Sequence, residues 1–314
     1  MKYISFLQLK FQLLITFSSL IVFSVSGQTT TDAIMMPEGS ACIFLGHSSG
    51  SFDHYWEGGT LRSNRTIANV TRTNTNAEVA IGITSRLNAY VGLPYITTKS
   101  SEPNGGKFAG VSGFQDISIT LKYLGFQKKW NKSELSILGS FGFSNPITNY
   151  LSDYMPYNLG LGATQLSYLA IVQYDLDCDV YFRTFGGYEW RGYTKAEREY
   201  YYNNGNYFTP WMDVPSAVRF GGVIGAWVAD KTLQLEINYN SLQSTSGDDI
   251  RSYAGPQPTN KVSMSSVGFF AHYFLNRVPG LGIIVQGNTV VSGQNTAKAS
   301  TLGAGITYQF KYKK

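Results

Sequence analysis

The segment closing this chain, residues 299–312, alternates without a slip. Leu302, Ala304, Ile306, Tyr308, Phe310 and Tyr312 fall on one face, and Gly303, Gly305, Thr307, Gln309 and Lys311 on the other. A period of two with one purely apolar side describes an extended strand that meets a nonpolar medium on one face and polar surroundings on the other. The pattern recurs upstream. In 112–126, Ile117, Ile119, Leu121 and Tyr123 oppose Asp116, Ser118, Thr120 and Lys122. In 232–246, Leu233, Leu235, Ile237 and Tyr239 oppose Thr232, Gln234, Glu236, Asn238 and Asn240.

Alternation and turn residues together predict twelve strands, at 41–56, 65–84, 87–98, 112–126, 133–144, 159–175, 179–192, 214–229, 232–246, 260–275, 281–293 and 299–312. Their connections sort by length. Segments 57–64, 99–111, 145–158, 193–213 and 247–259 run long, with 294–298 the one short member of that series. Segments 85–86, 127–132, 176–178, 230–231 and 276–280 are brief. Long loops at one end and short turns at the other predict an all-β fold: a transmembrane antiparallel up-and-down β-barrel of about twelve strands, with long extracellular loops and short periplasmic turns. A soluble sandwich, the alternative for the closing strand alone, has no reason to sort its loops this way. An even strand count puts both termini on the periplasmic side.

The N-terminus fits export. Lys2 and Lys10 precede an apolar run from Phe11 to Val25, which ends in the small residues Ser26 and Gly27. This is the order of a secretory signal peptide, and the run is shorter than the ~20 residues of a spanning helix. The expected organisation is a signal peptide at 1–27, a short periplasmic segment at 28–40 and a barrel domain at 41–314. Localisation in a bacterial outer membrane follows. Cleavage removes two lysines and no acids, lowering the formal net charge from +5 to +3. That is too mild to argue for nucleic acid. Cys42 and Cys178 fall on opposite walls of such a barrel, beyond the ~7 Å between bridged Cα atoms, so two free thiols are expected.

Outward aromatics gather at strand ends. Tyr123, Tyr174, Tyr273 and Tyr312 lie near short turns, and Tyr95, Phe143, Trp190 and Tyr239 near long loops, forming two interfacial belts. Pro94 sits inside a predicted strand, where it cannot donate to the ladder, and a bulge or bend is expected there.

Inward positions carry Glu78, Asp116, Lys122, Arg183, Glu189, Arg191, Arg219, Glu236 and His272, with Phe185, Trp227, Phe270 and Phe274 among them. These side chains either line a solute path and set its selectivity or pair across a narrow lumen and fill it. The aromatics tilt a transported solute towards something partly apolar. Loop 193–213, with Tyr200, Tyr201, Tyr202, Tyr207, Phe208 and Trp211, either folds over the mouth or tucks against the rim. Some barrels of this size are lipases, which need a serine beside a histidine near the membrane edge. His47 and His54 have Ser48, Ser49 and Ser51 close in sequence, while His272 has Ser266 six residues away on the same strand. No catalytic residue, metal-ligand cluster or cofactor motif is assigned. A structural or adhesin barrel presenting its loops is a third alternative.

The run from Ala80 to Tyr95, AIGITSRLNAYVGLPY, resembles a motif of the bacterial barrel family named for the MetA pathway of phenol degradation. Members share a strand ending Gly-Ile-Thr, a tight turn, Arg-Leu-Asn, and a strand ending Leu-Pro-Tyr. A Gly-rich loop and an Asp opening a strand that ends Lys-Tyr follow, here Gly105, Gly106, Gly110, Gly113, Asp116 and Lys122-Tyr123. The likeness covers residues 78–125. It implies an outer-membrane transporter similar in outline to FadL-type channels, taking up small solutes, hydrophobic or aromatic ones among them. Only about thirteen residues separate the cleavage point from the first strand, too few for the N-terminal plug of FadL-type channels, so that gating is not carried over. Gly305-Ile306-Thr307-Tyr308-Gln309-Phe310 resembles the C-terminal signal by which such barrels reach their assembly machinery. Gln28 as first mature residue and the abundance of tyrosine resemble Bacteroidetes outer-membrane proteins. The implied partners are outer-membrane lipid, that machinery and a small-molecule solute, with the chain as a monomer.

Overall fold

The alternating runs form twelve long antiparallel strands in the computed structural model, which describes residues 29–103, 107–251 and 255–313. The expected signal peptide and Gly105 and Gly106 lie outside these residues. In chain order the strands are β1 (Ser40–Phe52), β2 (Val70–Thr84), β3 (Leu87–Ser100), β4 in two pieces (Gly110–Phe114 and Asp116–Trp130), β5 (Ser133–Pro146) and β6 (Gln165–Asp175). Then come β7 (Val180–Arg191), β8 (Ala217–Val228), β9 (Leu233–Ser244), β10 (Ser263–Phe274), β11 (Leu281–Gln294) and β12 (Ser300–Lys311). Each pairs with its sequence neighbours, and β1 pairs with β12 from Ser40↔Lys311 to Ser51↔Ser300, closing the barrel without a free edge.

The closed sheet is apolar outside and polar inside. Leu45, Leu121, Ile237, Ile283, Leu302 and Ile306 stand exposed on the outer face. Lys122, Arg183, Gln234, Glu236, His272 and Thr307 are buried on the inner one. A soluble monomer rarely leaves more than a few hundred Å² of continuous apolar surface uncovered, and here such surface encircles the molecule. The eight belt aromatics named above are all exposed. Both cysteines are free, Cys42 buried and Cys178 exposed in a turn.

Pro94 has its expected effect. Its neighbours on β4 split into two pieces around Gln115, whose N–H is accepted by the Pro94 carbonyl at 3.0 Å. Some strand ends differ from the sequence reading. β4 runs on to Trp130, because a bulge at Gly125 lets Leu124 face inward and Phe126 outward while pairing continues. The turn there is only 131–132, and Asn131 takes the left-handed conformation (φ 53°) that such a turn requires. β6 begins at Gln165 rather than 159, because the preceding loop is drawn into the barrel mouth.

Candidate functional site

The lumen is narrowed from both ends. At the short-turn end the N-terminal segment, residues 29–39, turns inward and docks on the inner wall. Lys122 holds it. The fully buried ammonium donates to Asp32 Oδ1 (2.7 Å) and to the carbonyls of Thr29 (2.9 Å), Ile34 (2.8 Å) and Asp32 (3.3 Å). The Asp32 carboxylate also accepts the backbone N–H groups of Ile34 (2.8 Å) and Thr29. The Lys122 ammonium lies 5.1 Å from the centre of the Tyr90 ring. Met36 is fully buried beside Cys42, Ala80 and Tyr90, and Ala33 and Met35 pack against Leu124, Leu138, Leu169, Ile171 and Phe185.

Two residues of the sequence motif shape this dock. A Cβ on Gly82 would lie 2.1 Å from the Pro37 carbonyl oxygen, so only glycine lets the segment pass so close to β2. The Asn88 side-chain oxygen, in the amide orientation that satisfies both of its ends, accepts Met36 N–H at 2.7 Å. The Gly-Ile-Thr and Arg-Leu-Asn elements and Lys122 therefore surround one ten-residue stretch.

At the long-loop end, loop 147–164 folds against the inner faces of β2, β3 and β4. Arg72 donates to the carbonyls of Asn158 (2.8 Å) and Leu159, and Thr98 to that of Tyr157 (2.8 Å). The buried Tyr157 hydroxyl meets Ser100 Oγ at 2.7 Å. Tyr150 donates to Asp116. Burial, and then the carboxyl group it faces, push the Tyr150 phenol far above its ordinary range, so its proton stays in that bond. Hairpin 193–213 meets loop 247–259, where Gln257 Nε2 donates to the Tyr202 carbonyl at 2.6 Å. It stands on loop 147–164 through Ser152–Thr194 (2.6 Å) and Arg198–Asp153 (3.0 Å), with Tyr193, Tyr200, Tyr207, Phe208 and Trp211 exposed.

Beside the N-terminal segment lies a cavity of about 280 Å³, bounded by Thr29, Thr31 and Asp32 on one side and by β7–β12 and β1 on the other. Of the residues expected on a solute path, Arg183, Glu236 and Phe270 line it. Arg183 and Glu236 face each other with two parallel bonds of 3.0 Å each. Tyr181 donates to Glu236 at 2.5 Å, and Gln173 accepts from Arg183 at 3.3 Å.

The others lie elsewhere. Asp116 is held under loop 147–164. Glu189 pairs with Arg191 (2.8 Å) and approaches Arg219 (3.9 Å) near the long-loop end of β7 and β8. Trp227 stacks on Phe274 at 6.1 Å, and Glu78 sits half-buried on β2. The expectation that Lys122 and His272 meet solute is corrected. Both are fully buried, Lys122 beneath the N-terminal segment and His272 against Phe274 and Thr307 Oγ1 (2.9 Å). Each histidine bonds a partner other than serine: Thr75 for His47, Asp53 for His54 and Thr307 for His272.

Asp32, Arg72 and loop 147–164 shape the candidate site without having been singled out in the sequence. Their signals are faint, a lone acid ahead of the first strand and one inward arginine near a strand end.

No protein-family model matches the sequence, and no curated protein does. The fold, by contrast, has solved counterparts. An outer-membrane channel from Pseudomonas putida F1 superposes with a TM-score of 0.70 at 14% identity, covering 91% of this chain and 100% of that one. The NanC porin gives 0.47 at 9% identity over 84% of this chain and 98% of that one. The translocator domain of autotransporter NalP from Neisseria meningitidis gives 0.45 at 12% identity over 86% and 88%. The first of these places the fold among outer-membrane barrels. The other two are too distant to carry weight.

Proposed function

We propose that the chain is an outer-membrane conduit for the passive passage of small solutes, restricted from the periplasmic side by its own N-terminal segment. The observation that carries this reading is the cavity left inside an apolar-faced barrel, next to a segment that is held by side-chain bonds rather than woven into the sheet. A barrel serving only as an anchor or a display scaffold has no need of an uncollapsed interior. Export through a cleaved signal peptide, assembly through the C-terminal strand and a monomeric state complete the proposal. The likeness to the MetA-pathway family supports a transport role, and the motif residues gathered around the N-terminal segment give that likeness a physical basis. The cavity lining joins amides and hydroxyls to the Phe270 ring, which supports a solute that presents both polar and apolar faces.

The test is reconstitution of the purified full-length protein in planar bilayers and liposomes. Discrete conductance steps and solute-dependent swelling are expected. Silent bilayers from both the native chain and a Gly82→Leu variant, whose segment is displaced, would return the closed-barrel reading.

A further inference from the structure

We infer that the lumenal cavity is a binding site for an uncharged, hydroxyl-rich small molecule of about monosaccharide size. This inference rests on the conduit reading and names its solute class.

The register places four amides on one patch of the inner wall. Asn238 and Asn240 project from β9, and Gln286 and Asn288 from β11, with β10 between them. At one level the pairing runs Asn238↔Gly268↔Asn288↔Thr301 across β9, β10, β11 and β12. Gly268 is what brings the amides together. A Cβ there would lie 2.9 Å from Asn238 Oδ1 and 3.2 Å from Asn288 Nδ2, so the missing side chain leaves both amides converging over bare backbone. They are held in place by neighbours, Asn240 Nδ2 donating to Asn238 Oδ1 (2.9 Å) and Asn288 Nδ2 to Ser266 Oγ (3.2 Å). Each primary amide offers two N–H donors and a carbonyl with two lone pairs, so these bonds use only part of its capacity. Gln286 and Thr301 point into the lumen and remain exposed to it, and Ser48 completes the rim from β1.

Charge complementarity fixes the class. The charged groups at the cavity are already neutralised, Arg183 by Glu236 and Asp32 by Lys122. An ionic solute entering would shed water without meeting an uncompensated opposite charge. An aromatic hydrocarbon would leave the amide patch unbonded, which costs more than a modest apolar contact returns. A polyol satisfies both conditions, because its hydroxyls donate and accept as amides do. Its C–H faces can rest on Phe270, an aromatic ring on the inner wall of the cavity. The volume of about 280 Å³ falls just below the usual range for drug-sized ligands, roughly 300–1,000 Å³, as suits a smaller solute.

The experiment uses full-length protein with three probes of one carbon skeleton: glucose, gluconate and glucosamine. Liposome swelling reads permeation, and saturation-transfer NMR on detergent-solubilised protein reads binding. Glucose should permeate several-fold faster than either charged probe, and its binding signal should survive an equal concentration of phenol. Asn238→Leu combined with Asn288→Leu should weaken glucose binding about tenfold, as expected for two lost hydrogen bonds. If that pair fails to fold, judged by its gel shift on heating, Asn240→Asp serves instead and should move the permeation ratio towards glucosamine. Swelling that is equal for all probes or faster for a charged one, or glucose displaced by phenol, overturns the solute class and leaves the conduit standing. Glucose binding without permeation of any probe overturns the conduit and leaves the site. Loss of both overturns both.

Discussion

Replacing Lys122 with methionine tests the N-terminal restriction at its anchor. Methionine keeps most of the side-chain volume and removes the charge and all four polar contacts. The Asp32 carboxylate would then be buried without a cation, and removing one partner of a buried ion pair typically costs about 3–5 kcal/mol. At ~1.4 kcal/mol per tenfold change, that lowers the docked population relative to the free one by roughly two to nearly four orders of magnitude. The remaining hold is the Asn88 bond to Met36 N–H and apolar packing. Full burial of Met36 contributes about 1.5–3 kcal/mol, with smaller shares from Ala33 and Met35. Against this stands the cost of ordering residues 29–38, about 1–2 kcal/mol for each residue's backbone. The segment should therefore leave the lumen for a measurable share of the time. The assay is single-channel recording of reconstituted protein, paired with protease protection of the N-terminus. Larger or longer openings and faster N-terminal cleavage are expected. A folded Lys122→Met variant with native conductance and native protection refutes the reasoning.

Gly82→Leu should reproduce that behaviour by another route, since its Cβ would fall against the Pro37 carbonyl, and the same two readouts check it. Arg183→Ala leaves Glu236 buried and unpaired and should destabilise the barrel by about 3–5 kcal/mol, read as a lower unfolding temperature in detergent. Arg183→Met with Glu236→Leu should recover much of the loss. Asn295 joins three loops through bonds to Gly58 N–H (2.8 Å), Ile250 N–H (3.1 Å), Asp249 Oδ1 (2.8 Å) and the Lys261 carbonyl (2.8 Å). Asn295→Ala should therefore speed hydrogen exchange at Gly58 and Ile250 together while the strands keep their protection.

The barrel was legible because bilayer and lumen impose opposite demands on alternate residues, so each strand announces both faces. Ile117 to Tyr123 and Leu233 to Tyr239 needed nothing more than their own order. Strand ends were less legible, as at β6, because nothing local marks where the sheet releases a loop that tertiary contacts such as Arg72 with Asn158 draw inward. The same holds for the lumen. That Lys122, Arg183 and Glu236 face inward follows from their parity, but which of them pair, and across what distance, depends on barrel closure. Asp32 was invisible for this reason. Its partner lies 90 residues away in the chain, and the length of the segment says nothing of where it docks.

The central claim is that hydrocarbon covers one face of every strand while the other face encloses a polar interior. Spin labels placed singly at residues 117 to 123 and 233 to 239, with the protein in bilayers, test it directly. The account predicts a period of two, with oxygen relaxing labels at Ile119, Leu121, Leu235 and Ile237 strongly and a water-soluble nickel complex leaving them untouched. Strong relaxation of those same outward positions by the nickel complex would contradict it.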